Sequence, residues 1–127
     1  MSKFKLYTNF GVYNLDSIPP LINTVVHRLD GPAIIRYDCD GCIDYEAYYV
    51  NNQLHRVDGP ARIWYNKNKI IEVIYYQNHE CHMLDGPANI KYDENGNIRY
   101  ETYYINNTYY LEDAYYKELL NRKLNLL

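Results

Sequence analysis

The sequence predicts a mainly β protein: an elongated antiparallel meander of repeated β-hairpins, a single-sheet solenoid, followed by a C-terminal α-helix. Three observations carry this prediction. One phrase occurs three times, as His27-Arg28-Leu29-Asp30-Gly31-Pro32-Ala33, His55-Arg56-Val57-Asp58-Gly59-Pro60-Ala61 and His82-Met83-Leu84-Asp85-Gly86-Pro87-Ala88. Its aspartates lie 28 and then 27 residues apart, a period that belongs to repeat architectures. Apolar and polar residues alternate with period two after each phrase, and the spacing turns helical only in the tail.

Residues 1–26 do not match the repeat and are expected to cap its first edge, since terminal units of repeat arrays are atypical. Alternation around Phe4, Leu6 and Thr8, with Gly11-Val12-Tyr13 after Asn9-Phe10, predicts a short hairpin over 5–8 and 12–14. Pro19-Pro20 then stops any regular element.

Three units follow, 27–54, 55–81 and 82–107. The first strand of each places Ala33, Ile35 and Tyr37, Ala61, Ile63 and Tyr65, or Ala88, Ile90 and Tyr92 on one face. Arg36, Arg62, Asn89 and Lys91 take the other. Pro32, Pro60 and Pro87 lead the strands, where a missing N–H costs least. Asp38-Cys39-Asp40-Gly41, Asn66-Lys67-Asn68-Lys69 and Asp93-Glu94-Asn95-Gly96 supply turn chemistry. The second unit is one residue shorter, and the deficit falls in this turn, where it flips no strand. Return strands run from Ile43 to Val50, Ile70 to Gln77 and Ile98 to Ile105, rich in β-branched and aromatic residues. Asn51, Asn78 and Asn106 open the link to the next phrase. A lone hairpin is marginal in water, but three stacked ones hold, giving about six strands.

The tail, 108–127, changes period. Leu111, Tyr115 and Leu119, with Tyr116, Leu120, Leu124 and Leu127, follow helical spacing and predict a helix over 111–125. Glu112 and Asp113 near its start and Arg122 and Lys123 near its end suit the helix dipole. Its apolar stripe is expected to cover a sheet face or the last edge, because an open edge is an aggregation template.

Composition narrows the role. There are 17 Tyr against one Trp and two Phe, as suits a thin sheet in which rings are covered while hydroxyls stay wet. A net charge of −3 with interleaved signs argues against unaided binding to nucleic acid or anionic lipid. No apolar run has the length of a membrane span. The opening Met1-Ser2-Lys3-Phe4-Lys5-Leu6-Tyr7 lacks signal-peptide character. Three cysteines, an odd number, favour a reducing, cytoplasmic setting.

The three phrases, the Gly41 and Gly96 turns, and the aromatic-Asn ends Tyr49…Asn51, Tyr76…Asn78 and Tyr104…Asn106 resemble the MORN-type repeat. The likeness is to its His-Arg-x-Asp-Gly-Pro-Ala variant, seen in proteins of large DNA viruses and phages, and it covers residues 27–107. This sequence departs from the pattern at Met83, which replaces Arg, and at the glycine-free turn of residues 66–69. The resemblance implies a hairpin array for protein contacts, or in some members lipid contacts, and a host cytoplasm or virion location. It brings no catalytic residues.

The repeated His-x-x-Asp (His27/Asp30, His55/Asp58, His82/Asp85) has the composition of a catalytic dyad. A dyad needs one convergent pocket, however, and three copies at a solenoid's period make a ladder. The imidazoles and carboxylates are therefore expected to bond the backbone of the Asp-Gly-Pro bend, and His27, Asp30, Gly31 and Pro32 with their equivalents are read as structural. Cys39 and Cys42, with His79, Cys81 and His82, have zinc-ligand composition. In a meander these groups lie at opposite ends of a strand, roughly 20–26 Å apart at ~3.3 Å per residue. Zinc then requires a second chain, and otherwise no cofactor is expected. Trp64, with Tyr48, Tyr75 and Tyr103, forms the candidate interface. The leading reading is a non-enzymatic scaffolding protein that binds a protein partner or itself through the Tyr-rich sheet. The alternatives are a zinc-clamped dimeric regulatory module and a peripheral membrane-binding protein.

Overall fold

The computed structural model describes residues 3–18 and 23–126. An open nine-stranded antiparallel sheet forms its body. Two strands, β1 (Lys3–Thr8) and β2 (Gly11–Leu15), precede the repeats. Each repeat then contributes a first strand: β3 (Ile34–Tyr37), β7 (Arg62–Asn66) or β11 (Asn89–Tyr92). Its partner is β4 (Ile43–Ala47), β8 (Lys69–Ile74) or β12 (Ile98–Ile105). The spatial order is β2-β1-β3-β4-β7-β8-β11-β12-β13, where β13 is Thr108–Tyr110, so the chain adds hairpins side by side. The expected meander is present with nine strands rather than six, because the cap and the segment after Ile105 both join it.

Tyr37, Tyr65 and Tyr92 pair with Ile43, Ile70 and Ile98 respectively, the same register position in each unit. All three hairpins shift register just before this pair. Turns one and three have one design: the carboxylate of Asp38 or Asp93 accepts two turn amides at 2.9 Å, and Gly41 or Gly96 takes positive φ, 82° or 83°. The shortened middle turn uses Lys67 and Asn68 at φ 48° and 67°, the two-residue geometry whose twist matches that of the strands.

A second hairpin in every unit escapes the sequence reading. Asn51-Asn52, Asn78-His79 and Asn106-Asn107 all have positive φ, so the Asn thought to open a link is the first residue of a tight turn. Around these turns β5 (Tyr49–Val50) pairs with β6 (Gln53–Leu54), β9 (Tyr76–Gln77) with β10 (Glu80–Cys81), and β12 with β13.

The cap is also less foreign than its sequence suggests. Tyr7 donates its amide to Ala33 O at 2.8 Å, as Tyr48 does to Ala61 and Tyr75 to Ala88, both at 2.7 Å. Strand β1 thus occupies the place of a return strand, a half-repeat without the phrase. Pro19-Pro20 lies outside the described residues.

The main core gathers Leu6, Val26, Ala33, Ile34, Ala47 and Leu54. Leu6, Ile34 and Ala47 are cross-strand neighbours on the face that carries Arg36, so that face is polar only in part. Val26 and Leu54, from the return segments, close over them. The tail forms α1 (Glu112–Asn125). Tyr115, which has no exposed surface, packs with Tyr103 and Ile105, and Leu119 lies beside them. The helix therefore covers the end of the sheet at β12 and β13.

Candidate functional site

The repeated bend is where each unit meets its neighbour, and its histidine, arginine and glycine each have work there. The backbone amide of His27, His55 or His82 donates to the carbonyl of Tyr7, Tyr48 or Tyr75, at 3.1–3.2 Å. The ring then turns back onto its own unit. Its Nδ1 accepts the amide of Asn51, Asn78 or Asn106, the first residue of the tight turn, at 3.0 Å in all three copies. A backbone N–H that the turn leaves over is satisfied in this way. The histidine was expected to bond the Asp-Gly-Pro bend; its partner is instead the turn about 24 residues on.

The second turn residue reaches the other way. The Asn52 side-chain carbonyl accepts the amide of Val26, and that of Asn107 the amide of Cys81, both at 2.6 Å. His79 stands at the equivalent place and accepts the amide of Leu54 on Nδ1 at 3.1 Å. Each turn is thereby stitched to the segment before it. The in-register pairs Asn-Asn, Asn-His and Asn-Asn were the available signal.

The aspartates also bond differently from expectation. Arg28 donates from Nε to Asp30 at 2.9 Å and from a terminal nitrogen to Pro32 O at 3.1 Å. Its guanidinium lies 3.9 Å from the centre of the Tyr7 ring. Arg56 repeats the arrangement with Asp58, Pro60 O and the Tyr48 ring, at 3.1, 3.1 and 4.0 Å. The planar cation stacks on the ring while its edge spans the bend, a combination open to Arg and not to Lys. Bonding and charge from Arg28 hold the Asp30 carboxyl below its usual range. The guanidinium also explains the glycine: a Cβ on Gly31 or Gly59 would stand 2.8 Å from the Arg Cζ.

The third copy has Met83 and no guanidinium. There the helix intervenes: Tyr115 donates its hydroxyl to Met83 O at 2.6 Å and accepts the Gly86 amide at 3.2 Å. Gly86 adopts φ 151°. His82 lies partly under this end, and burial, aided by Arg122, lowers its pKa from the ordinary 6.5.

The five candidate zinc ligands are not brought together. Cys39 is exposed on its turn, while Cys81 is buried, its thiol pushed up to about 11 by desolvation. His79 and His82 each use Nδ1 on a backbone amide. Among the described residues, no three His, Cys, Asp or Glu side chains are grouped to hold a metal ion.

The candidate aromatic interface is only partly open. Tyr103 is buried under Tyr115 and Tyr116, with ring centres 4.8 and 5.9 Å away. Tyr48 is roofed by Arg56, and Tyr75 is half-buried. Trp64 packs 5.2 Å from Tyr45, with the Arg62 guanidinium 4.9 Å from its own ring. What the array does expose is the one phrase position left free, just before Asp. Leu29 is 80% exposed, Val57 79% and Leu84 47%.

Fold and site together define a β-hairpin repeat array whose recurrent polar residues form its joints. No known protein family, curated protein or solved structure matches the chain in comparison. No helix among the described residues is long and apolar enough to cross a membrane.

Proposed function

We propose that the chain is a non-catalytic, MORN-like interaction protein that works in a reducing cytoplasm or a virion and binds a protein partner along its row of bends. One observation carries the reading. The recurrent histidines, and the arginines and aspartates of the first two bends, are spent on joints, while the position just before Asp projects an aliphatic side chain in all three units. Successive bends are two strands apart, roughly 10 Å, so Leu29, Val57 and Leu84 form a spaced apolar row. Asp30 and Asp58 beside it have side chains 86% and 87% exposed. Such a strip, rimmed by the Arg28–Asp30 and Arg56–Asp58 ion pairs, suits an apolar ridge of a partner, because exposed apolar groups rimmed by charge favour protein partners.

The test is affinity recovery from native cells with three baits: the parent chain, Leu29→Asp/Val57→Asp/Leu84→Asp, and Trp64→Ala. Leu29 and Val57 are solvent-facing and Leu84 about half so, and the melting temperature of the triple variant, measured beside its binding, separates a lost partner from a lost fold. Loss of the principal partner from the triple variant alone supports the bend row. Loss from Trp64→Ala alone moves the surface to the sheet, and equal recovery by all three removes the proposal.

A further inference from the structure

Helix α1 is only half used. Tyr115 and Leu119 face the sheet and Tyr116 sets one edge against Tyr103, yet Tyr116, Leu120 and Leu124 remain 49%, 57% and 56% exposed. Spaced at i, i+4 and i+8, these three form a second apolar stripe about a quarter-turn or more from the packed one. A surface helix that served only to close the sheet would show charge here.

We infer that this stripe pairs with the same stripe of a second copy of the chain, the two helices running antiparallel about a two-fold axis. The charge pattern chooses both occupant and direction. The first turn carries Glu112 and Asp113 and the last Arg122 and Lys123. Within one helix Arg122 is engaged by Glu118 at 3.1 Å, which leaves Lys123 for a partner. Antiparallel pairing about an axis level with residue 118 sets each Tyr116 beside the other copy's Leu120 and brings each Glu112 level with the other copy's Lys123, twice over by symmetry, with helix dipoles opposed. Parallel pairing would set acid against acid and base against base. A 14-residue helix is about 21 Å long, which places the contact at the small end of specific interfaces. The dimer is therefore concentration-dependent, forming between about 1 µM and about 1 mM.

This surface is separate from the bend row, and the two proposals fail separately. Sedimentation velocity on the full chain across that range should show a reversible monomer–dimer equilibrium. Leu120→Glu should weaken it at least about tenfold with melting temperature and helical circular dichroism kept, and Leu29→Asp/Val57→Asp, on the two bends that the helix does not touch, should leave it unchanged. Glu112→Lys and Lys123→Glu should each associate more weakly than the parent, and an equimolar mixture should regain parental association. A chain monomeric at the highest concentration overturns the inference. So does a dimer that survives Leu120→Glu but is broken by Val12→Lys on the outermost strand β2, or a charge-swapped mixture that fails to recover.

Discussion

The hydroxyl of Tyr115 bridges Met83 and Gly86, donating to the carbonyl of one at 2.6 Å and accepting the amide of the other at 3.2 Å. In the first two units a guanidinium spans the bend. In the third, the spanning group arrives from the helix, 32 residues beyond Met83. Met83 in place of Arg and the helix after the third unit go together: the helix spans the third bend where a guanidinium spans the other two.

Tyr115→Phe separates that bridge from the packing of the ring. The ring stays between Tyr103 and Tyr116, but a carbonyl and an amide lose their partner in a dry place, which costs about 1–3 kcal/mol. Tyr115→Ala removes the ring as well and should cost about 3–5 kcal/mol. Urea unfolding followed by far-ultraviolet circular dichroism measures both. A Phe variant as stable as the parent would make the bridge incidental.

Gly59 and Arg56 should behave as one unit. A Cβ at Gly59 meets the guanidinium at 2.8 Å, so Gly59→Ala displaces Arg56 from the Tyr48 ring and from Pro60 O. The expected loss is about 1–2 kcal/mol. Once Arg56→Met has been made, the methyl group has nothing to displace and Gly59→Ala should be nearly silent. The double-mutant cycle then shows a coupling of about 1 kcal/mol; additive losses would contradict the shared contact.

The phrase made the repeat legible, since period, strand faces and shortened turn follow from Ala33, Ile35 and Tyr37 and their equivalents. The joints did not follow, because each is a contact across 23–26 residues: His55 to Asn78, or Asn52 to Val26. Nothing local distinguishes an Asn that opens a link from one that turns a hairpin. The cap's hairpin followed from its alternation and its turn, but its kinship with the repeats did not, for a related reason. Strand β1 keeps the backbone pairing of a return strand with Leu6 where the repeats have Ala47 and Ile74, so register persists where sequence identity is lost. The helix was foreseen, but of its apolar residues Tyr115, Leu119 and one edge of Tyr116 meet the sheet, while Leu120 and Leu124 stay exposed. Periodicity locates a stripe without saying which part of it is covered.

His82 should give the fold an acid sensitivity in the mildly acidic range. Its pKa is lowered from 6.5 by burial and by Arg122, and its Nδ1 must stay unprotonated to accept the Asn106 amide. The unfolded chain therefore binds the proton more readily than the native one. Stability is full above pH 6.5 and is lost as pH falls from there toward the lowered native value, below which the slope vanishes. His82→Asn keeps an acceptor but cannot titrate, so it should flatten unfolding free energy against pH over that window. An identical slope in both proteins would assign the effect elsewhere.

The middle turn offers a gain in stability. Lys67 and Asn68 sit at φ 48° and 67°, and an ordinary L-residue such as Lys pays about 1–2 kcal/mol for that region. Both are exposed. Replacing the pair by Asn-Gly, the sequence this turn favours, should stabilise the chain by about 0.5–1 kcal/mol. The same glycine placed at Asn52 should do the opposite, although Asn52 has the same φ of 67°. Its side-chain carbonyl holds the amide of Val26 at 2.6 Å, and Val26 belongs to the main core. Lys67→Asn/Asn68→Gly should therefore raise the melting temperature while Asn52→Gly lowers it. Two shifts of the same sign would mean that backbone conformation alone governs these turns and that the stitch between units carries no weight.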